Sequence, residues 1–321
     1  MKTFGSLVPQ NHFLQIFLII SFFTAAATFF PLVGSIFLLF IPAILFFYSV
    51  RTGRIKSAGA FLIALLPFLL FSYFFQFYTP YPVILTMGIA GILIATIAFK
   101  NVSIEKTVIY ASLFISASVC AYFLYSGYNQ NINPWQFVQK FVAETVEENI
   151  KMYSMLPFEK EDINFINDNK QSFIDFFTGI FPSLVIIASA FIAWISILMG
   201  RNMLRKQSIL FSPLEGLFRW KAPEFLIWIF IVSGALLFVP FEQIIIFGRN
   251  IFIVICFIYL LQGFAIISFV FQNKNVPNFF RYFFYFLIAV QQIFMIPIIV
   301  FGLLDIWVDF RKFFQKNEPT T

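Results

Sequence analysis

Charge is scarce in this chain. Lys, Arg, Asp and Glu make up 11% of its 321 residues, against about 25% in an ordinary soluble domain. Histidine occurs once, as His12, and cysteine twice, as Cys120 and Cys256, both inside apolar runs. That inventory excludes a zinc site built from His and Cys and argues against a disulfide framework. Also missing are a G-x-x-x-x-G-K-S/T phosphate loop, a G-x-S-x-G elbow and an H-E-x-x-H helix. With no catalytic constellation in view, no enzymatic activity, cofactor or metal is expected. No apolar run holds a carboxylate or a lysine at its centre, which argues against a proton-driven pump.

Apolar side chains fill the space that charge leaves. Sixty per cent of the residues are hydrophobic, 51 are Phe, and the mean hydropathy is +0.89. A soluble domain is about 45–50% apolar, so this chain has more apolar surface than one water-soluble core can hide. We read it as an integral membrane protein of the all-α class, a polytopic helix bundle whose first partner is the lipid bilayer. A helix needs about 20 apolar residues to cross the hydrocarbon. Nine runs qualify: 13–30, 32–50, 57–77, 82–99, 107–126, 179–200, 224–240, 248–271 and 280–303. FFPLVGS (29–35) supplies the Pro and Gly for a reversal between the first two. Lys2 and Ala25-Ala26-Ala27 imitate a cleaved signal, but the run is long and a second span follows at once, so a retained first helix is expected.

The basic residues sit in short loops, not along a groove, which excludes a nucleic-acid footprint. Loops 51–56, 100–106, 201–223 and 272–281 carry three, two, five and two of them. With nine spans all four loops fall on one face, which the positive-inside rule assigns to the cytoplasm. The expected location is a bacterial inner membrane, crossed many times. Residues 127–178 fall on the opposite, periplasmic face and hold eight acids against four Lys. Asn133 and Pro134 can start a helix there. Trp135, Val138, Val142, Val146, Ile150 and Tyr153 then recur every three or four residues. The expected product is an amphipathic helix that lies on the membrane surface or packs over the bundle mouth. A second helical stretch, from about Glu159, is expected to run on into the sixth span. The organisation is thus a five-span half (1–126), the acidic insert (127–178), and a four-span half with a short tail (179–321).

Small residues at four-residue spacing mark close helix contact in lipid. Gly88, Gly91, Ala95 and Ala98 form such a stripe, and Ser21/Ala25, Ala60/Ala64 and Ala117/Ala121 repeat it. Amides inside the apolar runs need partners, because lipid offers none. Gln262 lies in the middle of span eight, and Gln291 and Gln292 in the middle of span nine. They are expected to bond to one another between helices or to line a ligand pocket. Asn250 is a fourth candidate ligand residue, although Gly248-Arg249-Asn250 also reads as a capped helix start. Arg219, Glu224, Arg249, Asp305, Asp309 and Arg311 form an interfacial charged motif. Asp305 and Asp309, four residues apart beside Trp307, are expected to make a solvated collar where the ninth helix meets water.

Read in order, FRWKAPEFLIW (218–228), GRN (248–250), QGFAI (262–266) and GLLDIWVDFRK (302–312) resemble the YybS-like family of predicted bacterial membrane proteins. Pro182 and the basic exit Arg201–Lys206 fit it too. The resemblance implies fold and location and no reaction. A more distant likeness, to the substrate-binding subunits of energy-coupling-factor vitamin transporters, has FFPLVGS as its nearest local echo and covers spans one to six. Function is therefore expected to be a carrier or binding subunit for a small apolar molecule or a lipid. The alternative is a non-catalytic scaffold that recruits membrane protein partners of the envelope.

Overall fold

A computed structural model describes residues 12–76, 78–100, 102–155, 160–207 and 220–314. Among them every regular element is helical. The chain forms two compact units: Met1–Pro134 with Ala188–Glu215, and Trp135–Ile187 with Gly216–Thr321.

The first unit opens with α1 (His12–Phe29), α2 (Pro31–Leu38) and α3 (Ile41–Thr52). Pro31 and Pro42 sit in the first turns of α2 and α3, where proline's missing N–H costs nothing. α4 (Arg54–Phe75), α5 (Tyr81–Ala98) and α6 (Ile104–Asn129) follow. Gly53, at φ +95°, makes the bend between α3 and α4, a conformation that suits glycine. α3 packs against α4 and α5, and α1 against α2 and α4. The expected small-residue stripe is the contact surface of α5: Gly88, Gly91, Ala95 and Ala98 are all buried. A Cβ on Gly91 would stand 2.6 Å from the Pro42 carbonyl oxygen, so α3 and α5 meet backbone to backbone. Ala60 and Ala64 are buried on α4, whereas Ala117 and Ala121 on α6 are exposed and contribute no such contact.

The second unit begins with α7 (Pro134–Ser154), α8 (Lys160–Asp168) and the start of α9 (Lys170–Lys206). A one-residue break at Asn169 interrupts the expected run from α8 into the span. On α7 Val138 and Val142 are buried, and the Phe141 ring meets Phe181 edge-on at 6.2 Å. Next come α10 (Leu226–Leu236), α11 (Glu242–Asn273), α12 (Asn278–Val290), a 3-10 turn at Gln292–Phe294, α13 (Met295–Val308) and the short α14 (Phe310–Phe314). α11 is the centrepiece, flanked by α10 and α13.

Among the described residues seven helical stretches are long and apolar enough to cross a membrane, and eight if the bent pair α12–α13 is one crossing. The first six expected spans and span eight are among the seven. Two others differ from expectation. Span seven is cut to the 11 residues of α10, a rise of about 17 Å against roughly 30 Å of hydrocarbon. Span nine bends by 108° between Val290 and Gln292. Large apolar side chains such as Phe22, Phe74, Phe238 and Phe279 are exposed on the surface, as side chains facing lipid would be.

Candidate functional site

The polar core of the second unit forms where α11 and α13 touch. A Cβ on Gly302 would lie 2.0 Å from the Tyr259 carbonyl oxygen, and one on Gly263 2.2 Å from that of Ile298. Only glycine at both positions lets the backbones approach this closely. Each glycine has a polar residue on the same face, Gln262 next to Gly263 and Asp305 one turn after Gly302. Gln262 Nε2 donates to Asp305 Oδ2 at 3.1 Å, and its Oε1 accepts from the Ala222 N–H at 3.0 Å. Turning this amide over would set donor against donor and oxygen against carboxylate, so its neighbours determine its orientation.

Asp305 is 1% exposed. Besides Gln262, it accepts from the Phe310 N–H at 2.9 Å, and the Arg311 guanidinium stands 4.0 Å away. Arg311 also donates to the Trp220 carbonyl at 2.6 Å. Asp309 ends α13 in the left-handed region, at φ +44°, and this turn brings Arg311 back over Asp305. Asp309 itself pairs with Lys221 at 2.9 Å and Lys312 at 3.3 Å.

These contacts correct two expectations. Gln262 bonds to Asp305 and a loop backbone, while Gln291 and Gln292 stand exposed at the bend before α13. The solvated collar does not hold for Asp305, because it lies on the helix face pressed against α11. Glu224 is exposed in the turn leading to α10, and Arg219 lies outside the described residues.

Gly248, Arg249 and Asn250 each do something different. Gly248 admits α10, since a Cβ there would fall 2.7 Å from the Leu236 Cβ. Arg249 lies over the Phe176 ring at 5.6 Å. Asn250 enters the backbone of α9 at Pro182. Its Nδ2 donates to the Gly179 carbonyl at 2.7 Å and to the Ile246 carbonyl at 2.9 Å. Its Oδ1 accepts from the Ser183 N–H at 2.8 Å. Gly179 O and Ser183 N–H are partners in a regular helix, so one side-chain amide bridges the ladder where proline disturbs it.

The first unit holds a groove that sequence reasoning missed. Phe22, Ala25, Ala26 and Phe29 of α1 line one wall, and Phe30, Val33, Gly34 and Phe37 the other, around about 440 Å3. The lining is wholly apolar. The signal was present: both quartets run i, i+3, i+4, i+7, one face of a helix each. Gly34 closes the floor, its Cα so near α1 that a Cβ would overlap the Ala26 carbonyl at 1.9 Å. Among the described residues no group of three or more His, Cys, Asp or Glu could hold a metal ion.

Neither a curated protein nor a solved structure matches the chain. Residues 17–306, from within α1 to the end of α13, match the family described as "Predicted membrane protein (DUF2232)". The matched stretch takes in both units, the groove and the Gln262–Asp305 contact, and the chain belongs to this family of membrane proteins.

Proposed function

We propose that this multi-pass membrane protein is a carrier or binding subunit for a small apolar molecule or a lipid, with no chemistry of its own. The observation that carries the reading is the apolar groove between α1 and α2. Its volume of about 440 Å3 falls in the range of roughly 300–1,000 Å3 common to ligand sites. Aromatic walls and a floor of Ala25, Ala26 and Gly34 suit a slender hydrocarbon. Gln262 and Asn250 are unsuited to hold such a ligand, because their amides are spent on protein partners. Native mass spectrometry of the purified protein should release an apolar molecule. Ala25→Trp, which fills the groove, should abolish its retention without changing the melting temperature. Retention by Ala25→Trp would move the site elsewhere.

The orientation proposed with it sets loops 51–56, 100–106 and 272–281 and the Arg201–Lys206 end of α9 in the cytoplasm of a bacterium, and residues 127–178 in the periplasm. α9 and α11 then both run toward the cytoplasm, so the chain from 207 to 241 crosses once between them. Among the described residues its helical part is the 11-residue α10.

A further inference from the structure

The charged cluster of the second unit lies level with Gln262 of α11. α11 has an apolar stretch from Ile251 to Phe271, and Gln262 stands at its middle, roughly 15 Å from either end at 1.5 Å per residue. α10 runs beside one half of α11 only: its Leu236 end meets Gly248, and its start packs Leu226 and Ala222 on Ile255 and Tyr259. The Trp220–Phe225 backbone before it is not helical, and Ala222 bonds directly to Gln262. The end of α13 arrives at the same level through Asp305. Non-helical backbone at membrane depth is tolerated where protein buries it or where it lines water.

Protein buries part of this cluster and leaves part open. Asp305 and Arg311 are closed in. The side chains of Lys221 and Lys312 are 45% and 77% exposed, and that of Asp309 is 27% exposed. Charges at such depth face a bundle interior or a water-filled cavity. Snorkelling offers no escape, since a four-carbon lysine stem cannot cover roughly 15 Å to the headgroups.

We propose that water reaches the middle of the bilayer beside α11, in a vestibule bounded by the Trp220–Phe225 stretch and the Val308–Lys312 turn. Lys221, Asp309 and Lys312 face this water, and the Gln262–Asp305–Arg311 contacts form its closed end. It admits small hydrated solutes or ions, a class distinct from the apolar ligand of the first unit. Neither site depends on the other.

Single nitroxides test this in proteoliposomes made with deuterated water, in a Cys120→Ala, Cys256→Ala background. Labels at Lys312→Cys and at Phe313→Cys, 73% exposed and in no ion pair, should show deuterium modulation matching an exposed label at Asn164→Cys. Labels along α11 at Val254→Cys, Leu261→Cys and Phe269→Cys should be driest at Leu261. Two results would overturn the proposal. One is labels at 312 and 313 as dry as Leu261, which would mean a protein partner or lipid covers the cluster. The other is a driest point at Val254 with Leu261 wet, which would put the charges at the headgroups.

Discussion

Asp305 joins near-complete burial to a full set of acceptor contacts, and that makes its replacement costly. Asp305→Leu leaves the Arg311 guanidinium buried without its counter-charge, and a broken buried pair costs about 3–5 kcal/mol. Gln262→Leu orphans the Ala222 N–H and removes a donor from Asp305, at about 1–3 kcal/mol for each unsatisfied group. Thermal melts in detergent should rank the two in that order. The double variant should lose less than the sum, because the residues share one contact; strict additivity would deny the coupling. Gly302→Ala drives a Cβ into the Tyr259 carbonyl, and over-packing of this kind costs about 1–3 kcal/mol. Asn250→Leu strands both the Gly179 carbonyl and the Ser183 N–H inside an apolar helix. It should destabilise more than Arg249→Leu, which gives up only an interaction with the Phe176 ring.

At the scale of helices, the interruptions have local causes. The last turn of α11 is closed by Asn275 at φ +51° and a Val276 N–H to Phe271 O bond. Arg281 then returns from α12 to donate to the Val276 and Phe271 carbonyls at 2.7 and 2.9 Å. These bonds satisfy carbonyls that the helix end leaves open. α7 is tied to α9 by the ion pair of Glu147 with Lys170. Lys170 holds the Glu147 carboxyl below its usual range. A depressed acid stabilises the fold above its unfolded value and loses that contribution as pH falls through the folded one. Protection factors of α7 amides, taken relative to the intrinsic exchange rate at each pH, should therefore fall modestly on acidification below the ordinary carboxylate range. Lys170→Gln should remove that pH dependence, and a dependence that survives it would have another source.

For the whole molecule the decisive measurement is sidedness. Asn164→Cys, exposed on α8, should react with an impermeant maleimide in intact spheroplasts once Cys120 and Cys256 are replaced. Labelling only after lysis would invert the orientation, and with it the side from which the 207–241 stretch enters. The readout is independent of both ligand proposals, since neither the groove nor the vestibule requires a particular face.

The amino-acid sequence by itself determined the class and the existence of the first six membrane-spanning runs. Whether about 20 apolar residues can span hydrocarbon is a property of the run alone. The small-residue stripe of α5 was legible for a similar reason, because one helix carries the whole pattern. Partner choice was not legible. Gln262 and Asp305 lie 43 residues apart, and nothing in either neighbourhood says that two glycines will bring those helices into backbone contact. Asn250 reaches α9 across 67 residues, so its splice into the helix ladder at Pro182 has no local signature either. The bend at Gln291 and the short reach of α10 depend likewise on what α11 offers them. Tertiary structure decided these points because a buried polar group takes whichever partner packing delivers within hydrogen-bonding distance, and sequence spacing limits that choice only within a single helix.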